Sequence, residues 1–168
     1  GLNGGPHFTI NPSISFFVVC KEEKELDILW NNLSAEGKVL MPLDKYPWSE
    51  KYGWCQDQYG VNWQLILGDA GDGSETIVPS IMFTQHNSGK AQEAIDYYTS
   101  VFSHSEIVAI SKYEEGEGDV VGNIKYASLK LNDQPFILME SSGLHQFVFN
   151  EALSFVISCD TQEEIDYF

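Results

Sequence analysis

An internal repeat constrains this chain more than any other feature. Gly4, Phe8, Asn11, Ser15, Phe16, Cys20, Glu25 and Asp27 recur without a gap as Gly143, Phe147, Asn150, Ser154, Phe155, Cys159, Glu164 and Asp166, a constant offset of 139 positions. Inside that period Pro12-Ser13-Ile14-Ser15-Phe16 is echoed 67 positions on by Pro79-Ser80-Ile81-Met82-Phe83, and a helix-like stretch follows each run. A chain built this way folds as copies of one supersecondary unit, with two units to the long period.

Periodicity reads each unit. In the first, Ser13 to Cys20 is a β-branched and aromatic strand. Lys21 to Leu33 follows as an amphipathic helix with Leu26, Leu29, Trp30 and Leu33 on one face. Gly37 is expected to end that helix, Lys38 to Met41 to open the next strand, and Tyr52 to Gln56 with Val61 to Leu67 to form a hairpin turning near Tyr59-Gly60. In the second, strand Ile77 to Thr84 precedes helix Ala91 to Phe102 and strands Ile107 to Tyr113, Asn123 to Leu131 and Pro135 to Glu140. Both read βαβββ. The fold class is therefore α+β, with paired βαβββ modules forming an open, curved mixed sheet.

The chain divides into 1–67, a module from about residue 13; 68–76, an acidic Gly-rich linker; 77–140, the next module; and 141–168, the start of a further one. That last piece has an expected strand over Leu153 to Cys159 and a helix start capped by Thr161. Phe168 falls early in that helix, so a fragment of a longer chain, or a frame that starts and ends inside repeats, is expected. Leu153 to Cys159 needs a partner, so a homodimer or a longer native chain is expected, with this segment pairing outside its own module.

Charge narrows the partners. Nine Lys+Arg against 25 Asp+Glu give a formal charge of −16, which repels nucleic-acid backbones and anionic membrane surfaces. No apolar run approaches membrane-helix length and no signal-peptide pattern opens the chain, so a cytoplasmic location is expected. Cys20, Cys55 and Cys159 show no paired metal spacing and read as reduced structural thiols.

Gly37-Lys38-Val39-Leu40-Met41-Pro42-Leu43, the run from Tyr52-Gly53-Trp54-Cys55-Gln56-Asp57 through Gly60-Val61-Asn62-Trp63-Gln64-Leu65, and Ala91-Gln92-Glu93-Ala94-Ile95-Asp96-Tyr97-Tyr98 resemble the PhnB-like family, also labelled demethylubiquinone methyltransferase-like. That family sits in the vicinal oxygen chelate superfamily of glyoxalase, fosfomycin-resistance and bleomycin-binding proteins. The resemblance implies two βαβββ modules curled into an open barrel around a small-molecule pocket. In metal-using members, His, Glu or Gln side chains from the first and last strands of each module converge on a divalent ion, which makes Gln64 and Glu140 the metal-ligand candidates here. Gln64 stands where those enzymes carry Glu. Ile14-Ser15-Phe16-Phe17 and Ile81-Met82-Phe83 stand where a His is expected. No resident cofactor is therefore expected, and a divalent metal is the alternative.

Trp54, Trp63, Gln64, Glu140 and His86 are the ligand-pocket candidates. The two tryptophans suit an aromatic wall for a flat ligand, and equally the packing of a half-buried hairpin. His86 lies on a strand-to-helix loop, where it could act as acid or base or be an ordinary exposed loop histidine. His7, His104 and His145 form no ligand set by spacing. A methyltransferase site would need a Gly-rich turn between strand and helix; Gly68 to Gly73 leads into another strand instead. The functional expectation is a small-molecule binding protein or enzyme with its ligand in the barrel pocket. The alternatives are a divalent-metal-dependent lyase, isomerase or dioxygenase of glyoxalase type, and a non-catalytic assembly module.

Overall fold

A computed structural model describes residues 5–68 and 77–167. Its first module runs β1 (Ile14–Cys20), α1 (Glu23–Ser34), β2 (Lys38–Tyr46), β3 (Ser49–Gln56) and β4 (Asn62–Leu67). The second runs β5 (Ile77–Thr84), α2 (Ala91–Val101), β6 (Glu106–Lys112), β7 (Ile124–Leu131) and β8 (Gln134–Ser141). One eight-stranded mixed sheet has the order β2-β3-β4-β1-β5-β8-β7-β6. The halves mirror each other about the antiparallel β1–β5 pair, where Ile14 faces Ile81, its own mate in the 67-residue echo. The expected module order and single shared sheet are thus both present. β2 and β6 end the sheet, which stays open. The linker expected over 68–76 lies, beyond Gly68, outside the described residues.

Both helices cover the same face. Leu26 of α1 packs with Val18, Cys20 and Leu65, supported by Leu29, Trp30 and Leu33 as the helical spacing predicts. Ala91 and Ile95 of α2 pack with Phe83, Ile124, Ala127, Leu129 and Leu138. Trp30 lies so close to β3 that a Cβ on Gly53 would come within 2.6 Å of its ring. Gly37 does not end α1 by taking a left-handed conformation; Glu36 does, at φ 56°. Glycine is needed at 37 for proximity, because a Cβ there would stand 2.2 Å from the Gln56 carbonyl oxygen.

The opposite face is also buried, through Phe17, Tyr52, Trp54, Val78 and Ile137, with Met82, Tyr126 and Met139 packed against them. Neither α1 nor α2 reaches this side. Side chains from both halves of the sheet bury one another here, and this helix-free side is termed the concave face.

The 139-residue repeat has an outcome that local pattern did not foresee. Helix α3 (Gln162–Tyr167) forms, and Thr161 Oγ1 accepts from the Glu164 amide at 3.2 Å, as a capping residue should. The expected strand over Leu153–Cys159 forms no ladder. Its sequence twin, β1, already occupies the slot between β4 and β5, and a strand is defined by its partner. The two copies meet just upstream instead. Asn11 Nδ2 donates to the Val148 carbonyl and Asn150 Nδ2 to the Thr9 carbonyl, both at 2.9 Å. The Asn11 side-chain oxygen accepts from the Ser13 amide, and that of Asn150 from the Ala152 amide. Each bond has its mate 139 positions away. The small crevice between the copies is lined by Asn11, Ser13 and Ile14 with their mates Asn150, Ala152 and Leu153. This is an isologous contact made within one chain.

Candidate functional site

Strand register decides which candidates share a face. Gln64 pairs with Phe17 across β1 and with Trp54 across β3, so all three point into the concave side. Glu140 pairs with Phe83, a residue of the α2 core, and so points to the helix side. There its Oε1 accepts from the Ala91 amide at 2.8 Å and its Oε2 from the Ile124 amide at 2.6 Å. The Ala91 amide is an otherwise free donor at the start of α2, so this carboxylate ties that helix to β7 by two charge-assisted bonds. Gln64 and Glu140 therefore occupy opposite faces and cannot share one metal ion. As a ligand set they do not fit. Among the described residues, no group of three His, Cys, Asp or Glu side chains gathers to hold a metal.

The aromatic pair also divides. Trp54 is on the concave face and buried. Trp63 faces α1, tilts against Phe16 at 5.3 Å between ring centroids, and donates from Nε1 to Asp57 Oδ2 at 2.9 Å. Asp57 Oδ1 meanwhile accepts from the Tyr59 and Val61 amides, at 2.9 and 3.0 Å. With Gly60 at φ +88°, this accounts for the Asp57-x-x-Gly60-x-x-Trp63 pattern as the construction of a turn. The motif builds the turn that leads into Gln64.

His86 lies exposed on the short 3-10 turn Gln85–Asn87. His145 Nε2 meets Ser141 Oγ at 2.7 Å, and His104 stands 3.8 Å from Asp133 on the surface. His86 and His104 lie away from the concave face, whereas Ser141, the partner of His145, alternates with Ile137 and Met139 and places His145 at the end of that face. Cys55 lies under α1's side of the sheet, and burial, aided by Asp57, pushes its thiol up to about 11. Such a group is not a nucleophile at neutral pH.

What the concave face does hold is a buried polar band. Tyr52 Oη donates to Gln64 Oε1 at 2.5 Å, and Gln64 Nε2 donates to Ser15 Oγ at 2.7 Å. Burial pushes the Tyr52 hydroxyl far above its ordinary range, so it remains a donor. Ser15 lies opposite Ser80 on β5. Asn62 precedes Trp63, the partner of Phe16, and so sits beside Ser15. Three atoms of this band are fully buried without a partner: Trp54 Nε1, Asn62 Oδ1 and Ser80 Oγ. The Asn62 Nδ2 bond to the Gly60 carbonyl at 3.3 Å turns its oxygen the other way. Buried polar atoms without a protein partner are costly and uncommon, and either water or a ligand can complete them. At the rim, Tyr46 stacks on Trp48 at 5.1 Å and both meet Tyr52 edge-on, leaving Trp48 half exposed. Of this band the sequence singled out Trp54 and Gln64. It passed over Ser15, Asn62 and Ser80, whose one signal was a small polar side chain in an otherwise apolar strand.

A family model described as 3-demethylubiquinone-9 3-methyltransferase matches residues 1–66 and 75–168. Among solved structures, the chain is 42% identical to a PhnB protein from Bacillus cereus that carries the 3-demethylubiquinone-9 3-methyltransferase name. That alignment covers 52% of this chain and 64% of the other, with a TM-score of 0.47. A Staphylococcus aureus protein is 40% identical over 33% of this chain and 47% of its own, with a TM-score of 0.32. The chain thus spans about half to two thirds of the length of these relatives. A glyoxalase I variant from Zea mays shares the fold at a TM-score of 0.51 and 18% identity, over 77% of this chain and 43% of that one. No curated protein matches. With most of its length matched by the family model, this chain belongs to the 3-demethylubiquinone-9 3-methyltransferase family.

Proposed function

We propose that the concave face binds a small molecule through hydrogen bonds and aromatic contacts, with Gln64 acting as a hydrogen-bonding side chain and not as a metal ligand. The observation that carries this reading is the set of three partnerless polar atoms on Trp54, Asn62 and Ser80, all on the face where Gln64 lies. Tyr52, Trp54, Phe17, Met82, Tyr126 and Met139 supply apolar and polarisable contact around them. Small-molecule sites have this composition, a few placed polar groups within an apolar lining. The Tyr52–Gln64–Ser15 chain holds the Gln64 amide in one orientation before any ligand arrives, which lowers the ordering cost of binding. Elemental analysis after dialysis, combined with ligand-observed NMR screening of neutral fragments, tests this. Expected are no stoichiometric zinc, nickel, manganese or iron, and fragment hits that disappear in Trp54→Leu. Stoichiometric metal liganded by Gln64, or hits indifferent to that substitution, would overturn it.

We further propose that two chains associate through the segment following the Asn150 contact. Phe155, Val156 and Ile157 lie outside any ladder; Phe155 meets Phe136 edge-on, and Val156 is 88% exposed. Consecutive exposed apolar residues in an extended segment seek a partner strand. Light scattering is expected to report a dimer that Val156→Lys dissociates. A compact monomer at micromolar concentration would contradict it.

A further inference from the structure

Resting on the concave-face reading above, we infer that the ligand there is an uncharged, flat molecule offering both a hydrogen-bond acceptor and a donor, as a neutral ring bearing an amide or lactam group does. Among the described residues, no Asp, Glu, Lys or Arg side chain is buried on this face. Among the described residues, Glu140 is the one buried side chain that ordinarily carries charge, and it faces the helices with both oxygens engaged. The buried polar strand residues of the concave face are Ser15, Asn62, Gln64, Ser80 and Thr84, all neutral. The nearby lysines are already paired. Lys51 sits on the helix side with Glu23 and Asp27 of α1, and Lys130 of β7, on the side of Tyr126, is half exposed and pairs with Glu106 of the edge strand β6.

An ionised ligand entering this face would give up its hydration and meet no counter-charge, a penalty of several kcal/mol. The acidic chain as a whole adds repulsion for anions. A neutral ligand escapes both costs. The unpartnered atoms then define its polar pattern. Trp54 Nε1–H can only donate, so it needs an acceptor; Asn62 Oδ1 can only accept, so it needs a donor; Ser80 Oγ serves either way. Aromatic rings from Phe17, Tyr52 and Trp54 on one side and Tyr126 on the other favour a flat body over a bulky one.

Benzamide, benzoate and benzamidine share a shape and differ in charge, so they isolate the claim. Each is titrated into the full chain near neutral pH while the Trp54 indole N–H resonance, assigned by its absence in Trp54→Phe, is followed by NMR. The expected result is that benzamide shifts this resonance and binds at least about tenfold more tightly than either ion, a difference of about 1.4 kcal/mol. Ser80→Ala should weaken benzamide without lowering the urea midpoint. Benzoate or benzamidine binding as tightly as benzamide at Trp54 would overturn the charge assignment and leave the concave-face site standing. If none of the three moves the Trp54 resonance, the concave-face site itself is refuted.

Discussion

Ser15 and Ser80 face each other across β1 and β5, and both are buried, at 1% and 0% exposure. Trimming each to alanine should nevertheless shift stability in opposite directions. Ser15 Oγ accepts the Gln64 Nε2–H. Ser15→Ala removes that acceptor and strands a buried amide N–H, which costs about 1–3 kcal/mol. Ser80 Oγ has no partner. Its removal relieves a desolvation cost of the same size, about 1–3 kcal/mol, and leaves a gap smaller than a methyl group, whose cost is below about 1 kcal/mol. The net expectation for Ser80→Ala is stabilisation by about 1 kcal/mol. For a chain of this length that raises the melting midpoint by about 2–4 °C, while Ser15→Ala lowers it by at least as much. Urea titrations read by circular dichroism give both values, and unchanged m-values would keep the comparison clean. A fall in stability for Ser80→Ala comparable to that for Ser15→Ala would mean that the hydroxyl is satisfied in the folded protein, and the case for a vacant polar position would be lost.

Other substitutions test the remaining assignments. Glu140→Gln keeps the shape but turns an amide N–H toward one of two backbone donors; it should cost about 3 kcal/mol in urea unfolding and leave benzamide binding intact. Loss of binding with no loss of stability would show that Glu140 faces the ligand after all. Cys55, held near 11 by burial, stays a thiol up to mildly alkaline pH, so iodoacetamide at pH about 8 should label it only in denaturant. Rapid labelling of native protein at this site would contradict its placement. Asn11→Ala and Asn150→Ala should each cost about 1–2 kcal/mol, and because the two residues form one reciprocal contact, the double variant should cost less than the sum. Additive losses would mean that the two bonds act independently.

How much of this was legible beforehand follows from what local pattern encodes. The βαβββ order was readable because helix and strand periods differ and the echo doubled the signal. The face of Glu140 was not. Ile137 and Met139 point one way and Leu138 and Glu140 the other, and both faces of β8 are apolar, so alternation carries no contrast. Strand pairing also fixes which residues correspond: Phe16 pairs with Trp63, and its echo Phe83 pairs with Glu140. Trp63 and not Gln64 is therefore the counterpart of Glu140, and a motif-to-motif alignment that matches Gln64 to Glu140 crosses the sheet. Leu153–Cys159 shows the other limit. Its residues repeat those of β1, yet a strand also needs a vacant neighbour, which is a property of the whole fold.

The central claim is that the three partnerless atoms on Trp54, Asn62 and Ser80 belong to a ligand site. A high-resolution crystal structure of the protein soaked in benzamide tests it most directly. Density for the fragment is expected on the concave face, its carbonyl oxygen within hydrogen-bond distance of Trp54 Nε1 and its amide nitrogen near Asn62 Oδ1 or Ser80 Oγ. Well-ordered waters satisfying all three atoms in the soaked crystal, with benzamide absent or bound only on the helix side, would contradict it.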